Sequence, residues 1–135
     1  MTAIDSSVCI PALVSWHAAH ERCRVLAAGA SIPAHALLES YSVLTRLPAP
    51  HRLERGAAAE LLDGWFAPAA VLTAPAGVQR SLVTELAAAG VDGGASYDGL
   101  IAATARAHGE VLITRDARAA RTYEALGVDV ELVTD

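Results

Sequence analysis

Four acidic residues stand where an α/β chain has no structural need for charge. Asp5 follows Met-Thr-Ala-Ile, Glu39 closes Ala-His-Ala-Leu-Leu-Glu, Asp98 opens Asp-Gly-Leu-Ile-Ala-Ala-Thr, and Asp116 follows Val-Leu-Ile-Thr-Arg. Each lies at the mouth of a short β-rich run or on an apolar helix, so pairing of the strands is expected to bring all of them to one edge of a sheet. Carboxylates that close repel one another unless a cation lies between them. Oxygen donors in an open cleft suit magnesium or manganese, which keep several waters. One or two such ions permit phosphodiester hydrolysis without a Ser-His-Asp triad. Asp5 and Asp98 are expected to bind the ion directly, and Glu39 and Asp116 to complete the ring directly or through water. Each acid alone has an ordinary use: Asp98 as a helix-start charge, Asp5 as a cap, Glu39 as a solvated helix residue. Their shared edge position favours a functional cluster.

Weaker signals surround the acids. Ser6 and Thr114 are candidates for bonding a substrate phosphate or a metal-bound water, although Ser6 suits a plain N-cap equally well. Arg115, Arg118 and Arg121 recur at i, i+3, i+6 around Asp116, and the planar guanidinium fits phosphate oxygens; pairing with Glu124 is the alternative. His17, His20 and Cys23 share the same spacing but lack a fourth ligand for zinc, so a solvated helix face is expected. Asp92 is explained by its Gly-rich turn.

The elements that must position these residues alternate between short β-rich runs and longer helical stretches, the pattern of an α/β domain with a central, mainly parallel sheet flanked by helices. Strands are expected at 2–4, 31–33, 71–73, 111–114 and 128–133. Helices are expected from Ser6 or Ser7 to about 15, with Pro11 a blemish, and over 17–28, 34–47, 51–66, 75–90, 97–108 and 117–126. Pro48 and Pro50 end the third helix, and Ser96 is the expected cap of the sixth. Trp65 and Phe66 close an amphipathic stripe and are assigned to the core rather than to an interface. In such sheets ligands bind outside the carboxyl ends of the strands, where Asp5 and Asp116 fall.

With 135 residues and 53% hydrophobic composition dominated by alanine and aliphatics, residues 1–135 are expected to form one domain able to bury roughly two-thirds of its unfolded surface. The net charge of −5 argues at first against a polyanionic partner, but two divalent cations at the acids would offset most of it. All ten basic residues are arginine. No basic flank precedes an apolar run and no stretch approaches a membrane span, so a soluble cytoplasmic protein without membrane association is expected. Cys9 and Cys23 lack metal-ligand spacing and are read as reduced, buried thiols.

Asp5-Ser6-Ser7, Leu38-Glu39, the run Gly93-Gly94-Ala95-Ser96-Tyr97-Asp98-Gly99-Leu100-Ile101-Ala102-Ala103-Thr104-Ala105 and Leu112-Ile113-Thr114-Arg115-Asp116 together resemble a PIN-domain ribonuclease, and most of all the VapC-type toxins of bacterial toxin–antitoxin pairs. The resemblance covers essentially the whole chain. It implies a magnesium- or manganese-dependent endoribonuclease acting on RNA, a cognate antitoxin protein as inhibitor, and a homodimer or a toxin–antitoxin hetero-oligomer. Its acidic quartet carries over to Asp5, Glu39, Asp98 and Asp116, and its small hydroxyl to Ser6 and Thr114. Gly99 departs from the family, which usually has a small residue such as alanine there, and is expected to loosen the helix start slightly. Two rivals remain. A catalytically idle RNA- or protein-binding module would not need an intact quartet. A phosphatase using Asp5 as nucleophile would need an acid where Ser7 stands, or a lysine.

Overall fold

A computed structural model describes residues 1–134. Its strands are β1 (Thr2–Ile4), β2 (Ile32–Pro33), β3 (Val71–Leu72), β4 (Val111–Thr114) and β5 (Val130–Leu132). The helices are α1 (Ser6–Leu13), α2 (His20–Ala27), α3 (Ala34–Leu44), α4 (Arg55–Trp65), α5 (Ala76–Ala88), α6 (Ala95–Ala107) and α7 (Ala117–Ala125). All pairings are parallel: β1 with β4, placing Ile4 opposite Ile113, β4 with β5, and β2 with β3. An isolated bridge between Ala3 and Ser31 joins the two groups, so the spatial order is β3-β2-β1-β4-β5.

Parallel strands covered on both faces read as continuous apolar runs, and Ala3, Ile4, Leu112 and Ile113 are all buried. Helix α6 is apolar nearly all round: Ile101, Ala102, Ala103 and Ala105 are buried, and their small side chains let the helix approach its neighbours closely. Phe66 is buried and Trp65 packs against the core, as the amphipathic stripe of α4 requires. Cys9 and Cys23 are buried thiols not joined by a disulfide.

Several helix ends differ from the sequence expectation, each for a local reason. Asp5, not Ser6 or Ser7, caps α1 by accepting the Ser7 N–H at 3.0 Å. Helix α2 begins only at His20, because His17 turns back on the chain and its Nδ1 accepts the Ala19 N–H. Helix α3 stops at Leu44, where the Thr45 hydroxyl donates to the Tyr41 carbonyl. Helix α4 starts four residues later than expected, because Glu54 accepts the Ala57 N–H and serves as its cap. Gly94, not Ser96, precedes α6; the chain reverses at Gly93, whose φ of +56° favours glycine. No helix among the described residues is long and apolar enough to cross a membrane.

Gly99 lies where an added side chain would press on the leucines of its neighbours, so it is more than a weakness of the helix start. A Cβ there would collide with Leu86 Cδ2 of α5 and stand 3.2 Å from Leu126 Cδ1. Alanine would gain about 1 kcal/mol of helix propensity, whereas overpacking costs roughly 1–3 kcal/mol. Gly99→Ala is therefore expected to lower the urea midpoint. A rise would show that Leu86 moves aside freely.

Candidate functional site

Asp5 leaves the end of β1 and is 3% exposed. A buried carboxylate needs donors, and Asp5 has them: Oδ1 accepts the Ser7 N–H and the Ser7 hydroxyl at 2.6 Å, and Oδ2 accepts the Tyr123 hydroxyl at 2.8 Å. Burial pushes its carboxyl above the usual range, and the hydroxyls of Ser7 and Tyr123 and the Ser7 N–H pull it back. Tyr123 itself is 1% exposed, and burial beside Asp5 raises its phenol far above the ordinary value.

Ser7 is the junction between the two strand ends. Its one hydroxyl proton goes to Asp5, so in the 3.2 Å contact with Thr114 Oγ1 the threonine is the donor. Ser7 Oγ also accepts the Arg115 N–H at 2.8 Å, and Thr114 Oγ1 accepts the Asp116 N–H at 3.1 Å. Asp116 then caps α7 by accepting the N–H groups of Arg118 and Ala119. Pro11 fits into the same arrangement. It has no N–H for the Ser7 carbonyl one turn back, and that carbonyl accepts the Arg115 guanidinium at 3.4 Å.

Glu39, half-buried on α3, accepts the Ser6 hydroxyl at 3.3 Å and lies 4.0 Å from His35 Nε2. Burial raises its carboxyl, the Asp5 charge adds to the rise, and His35 and Arg46 oppose it. Asp98, in the first turn of α6, has its carboxyl pushed up to about 6 by burial and then by the charges of Glu39, Asp116 and Asp5. The four acids therefore share one field, although they arrive from β1, α3, α6 and the turn after β4. One side chain from the sequence-based set stands apart from the expected pattern: Arg115 precedes α7 and is half-buried against α1, whereas Arg118 and Arg121 are exposed on α7. They form no single arginine stripe. His17 lies outside α2 and Cys23 is buried, so the i, i+3, i+6 row forms neither a zinc site nor a solvated face.

Sequence reasoning passed over Ser7, Tyr123 and His35. Asp-Ser-Ser offered two serines, and only the hydrogen-bond demand of a buried Asp5 separates them. Tyr123 lies 118 positions from Asp5, with no local signal. His35 shares a helix face with Glu39 at i, i+4, a spacing that was readable.

Among the described residues, no group of three or more His, Cys, Asp or Glu side chains is drawn together as a ligand set. The donor chemistry is nevertheless that of a hard cation: carboxylates and hydroxyls. A parallel sheet with acids at its carboxyl edge, one of them raised to about 6 by burial and then by the charges of the other three, matches a known arrangement. The PIN domain family matches residues 2–125.

The chain belongs to the PIN-domain family. Ribonuclease VapC40 of Mycobacterium tuberculosis is 47% identical over 136 residues, covering 99% of this chain and 100% of that protein. Ribonuclease VapC27 of the same organism is 45% identical over 130 residues, covering 95% and 93%. This is a VapC-type PIN domain. Among solved structures, FitAcB from Neisseria gonorrhoeae superposes with a TM-score of 0.69 at 20% identity, covering 96% of each chain. FitAB bound to an IR36 DNA fragment gives 0.68 at 20% identity, covering 98% and 94%. At that identity these two establish the PIN fold.

Two outcomes follow from the geometry of this PIN site. Ser7→Ala removes the acceptor of the Arg115 N–H and leaves Asp5 Oδ1 with the backbone N–H of residue 7 alone, and should cost about 1–3 kcal/mol; Ser6→Ala removes one long contact and should stay within about 0.5 kcal/mol. Equal losses in urea melts would mean that Ser7 is no junction. The second concerns pH. Asp98 starts from an ordinary value of 3.8 and is raised to about 6, so the native state holds a proton that the unfolded chain has released. Its destabilising effect is absent below pH 3.8, grows through that window and is complete above about 6. Asp98→Asn should therefore melt higher than wild type at pH 7.5 in chelator and lose that advantage near pH 4. A pH-independent difference would dissolve the cluster.

Proposed function

We propose that this PIN domain is a magnesium- or manganese-dependent endoribonuclease and the toxin component of a toxin–antitoxin pair. The observation that carries the reading is that Asp98, raised first by burial, is raised further by the charges of Glu39, Asp116 and Asp5: a protein that kept these acids only for solubility would hold them beyond one another's field. The near-full-length identity to proteins named ribonuclease VapC supports the reaction class.

Asp5 and Asp98 would hold the ion, with Glu39 and Asp116 completing its surroundings directly or through water. Bound there, one or two such ions supply the Lewis acidity and counter-charge that phosphodiester hydrolysis needs at neutral pH. In the overall reaction a water oxygen adds to phosphorus, the bond to the 3′ oxygen breaks, and that oxygen takes up a proton. Ser7 and Tyr123 fix the Asp5 carboxylate through their hydroxyls. Ser6 sits beside Glu39, where it can contact the phosphate; Thr114, assigned the same role from the sequence, is fully buried with its hydroxyl engaged by Ser7 and the Asp116 N–H, so it fixes the turn rather than touching substrate. Arg118, exposed at the start of α7, supplies positive charge to the RNA backbone, and Arg115 holds the turn that carries Asp116. A cognate antitoxin would mask the cleft by directing an Arg or Lys at the acids. Action in the cytoplasm, as a homodimer or within a hetero-oligomer with that antitoxin, completes the reading.

The test is cleavage of RNA by purified protein with magnesium, manganese or excess chelator. Turnover should require one of the metals and stop in chelator, and Asp98→Asn should lower it by at least about 100-fold with the fold intact. The same substitution that stabilises the protein thus inactivates it. Metal-independent cleavage, or normal turnover by Asp98→Asn, would end this mechanism. Binding of RNA without cleavage under any metal would favour the idle module.

A further inference from the structure

Tyr97, immediately before Asp98, is 58% exposed. Its ring stacks on that of His35 with centroids 5.3 Å apart and planes only 4° from parallel. An offset-parallel pair of this kind is a favoured aromatic geometry. His35 covers one face of the tyrosine, and the exposure leaves much of the remainder open to solvent. The pair also spans two of the elements that carry the acids: His35 lies one turn before Glu39 on α3, with Nε2 4.0 Å from Glu39 Oε2. The stack therefore stands at the rim of the carboxylate cluster.

A single exposed tyrosine needs no explanation of its own; what distinguishes Tyr97 is that its ring is held parallel to His35 beside the acids. The charge of the site narrows what such a pair can serve. The net charge of the chain is −5, so even with a cation offsetting the acids and Arg118 facing the backbone, charge supplies only part of the affinity for a nucleic acid, and a contribution that does not depend on cationic side chains adds to it. Stacking of a base on an aromatic face is such a contribution, and it requires a base that is already unstacked.

We propose that the His35–Tyr97 stack is a base platform that takes the nucleobase flanking the scissile phosphate of a single-stranded RNA segment, Tyr97 being the face that receives it. The inference rests on the RNA-cleaving reading of the acid site and deepens it. It makes Tyr97 a substrate-positioning residue and His35 its backing. Duplex RNA, whose bases are stacked on one another, is not a ligand of the platform.

The probe is a fluorescein-labelled single-stranded RNA oligonucleotide, together with a series of the same strand carrying one abasic position each, titrated by anisotropy in magnesium against wild type, Tyr97→Ala and Tyr97→Phe. Loss of one base–aromatic stack should weaken binding about 5-fold or more in Tyr97→Ala, while Tyr97→Phe stays within about twofold of wild type. One abasic strand should weaken binding to wild type by a similar factor and have no further effect on Tyr97→Ala. That coupling between protein and RNA is what a merely structural stack would not produce. Equal binding by wild type and Tyr97→Ala, or an abasic penalty that persists in full in Tyr97→Ala, overturns the platform. If the expected pattern appears while no strand is cut under any metal, the platform stands and the hydrolase reading fails. If wild type binds no single-stranded RNA, both fail.

Discussion

The Asp5 carboxylate is buried at the point where β1 hands the chain to α1, and the rest of the site is arranged around making that tolerable. Removing a charged carboxylate from water without partners is prohibitively costly; here the Ser7 N–H, the Ser7 hydroxyl and the Tyr123 hydroxyl share the task. Those donors come from the start of α1 and from α7, near the far end of the chain. Because Ser7 also accepts the Arg115 N–H and faces Thr114, the same hydroxyl locks the end of β1 to the end of β4. The registry of the two central strands and the placing of Asp5 beside Asp116 are thus one fact.

Much of this was legible in the sequence, and the limits of legibility have physical causes. The β4 strand was bounded correctly at 111–114 because a continuous apolar β-branched run between a glycine and a charged turn has few other solutions. The acids were found because charge at a strand end is conspicuous. Helix starts were less readable: Asp5 and Glu54 took the capping role from serines and from a histidine-led turn, and capping depends on which side chain the preceding strand or loop aims at the first N–H groups. Gly99 looked like a flaw in α6 because propensity is a local property, whereas its fit depends on the space that Leu86 and Leu126 occupy. Tyr123 was invisible for the same reason, since its partner is set by the fold alone. The arginines misled in the opposite direction. Their regular spacing suggested a stripe, but the first of them precedes α7 and turns inward.

The electrostatics and the packing pull against each other, and the site records the outcome. Burial and mutual repulsion raise Asp98 to about 6, while Glu39 is held by Ser6 and faces His35 and Arg46. Asp5, deepest of the acids, is the one most fully supplied with hydrogen bonds. The acids are consequently graded: one fixed, others held at the rim where solvent and counter-charge can reach them.

Pro11 extends this economy to the backbone. Within α1 it removes a hydrogen bond and would ordinarily weaken a helix of only eight residues. The orphaned Ser7 carbonyl instead becomes a socket for Arg115, so the interruption in one helix is the fastening of a distant turn. An engineer repairing α1 with Pro11→Ala would restore an N–H that competes for that socket, and the gain in helix regularity would come with a slacker turn at Asp116. In this chain the irregular position is a hinge pin, and straightening the helix would withdraw it.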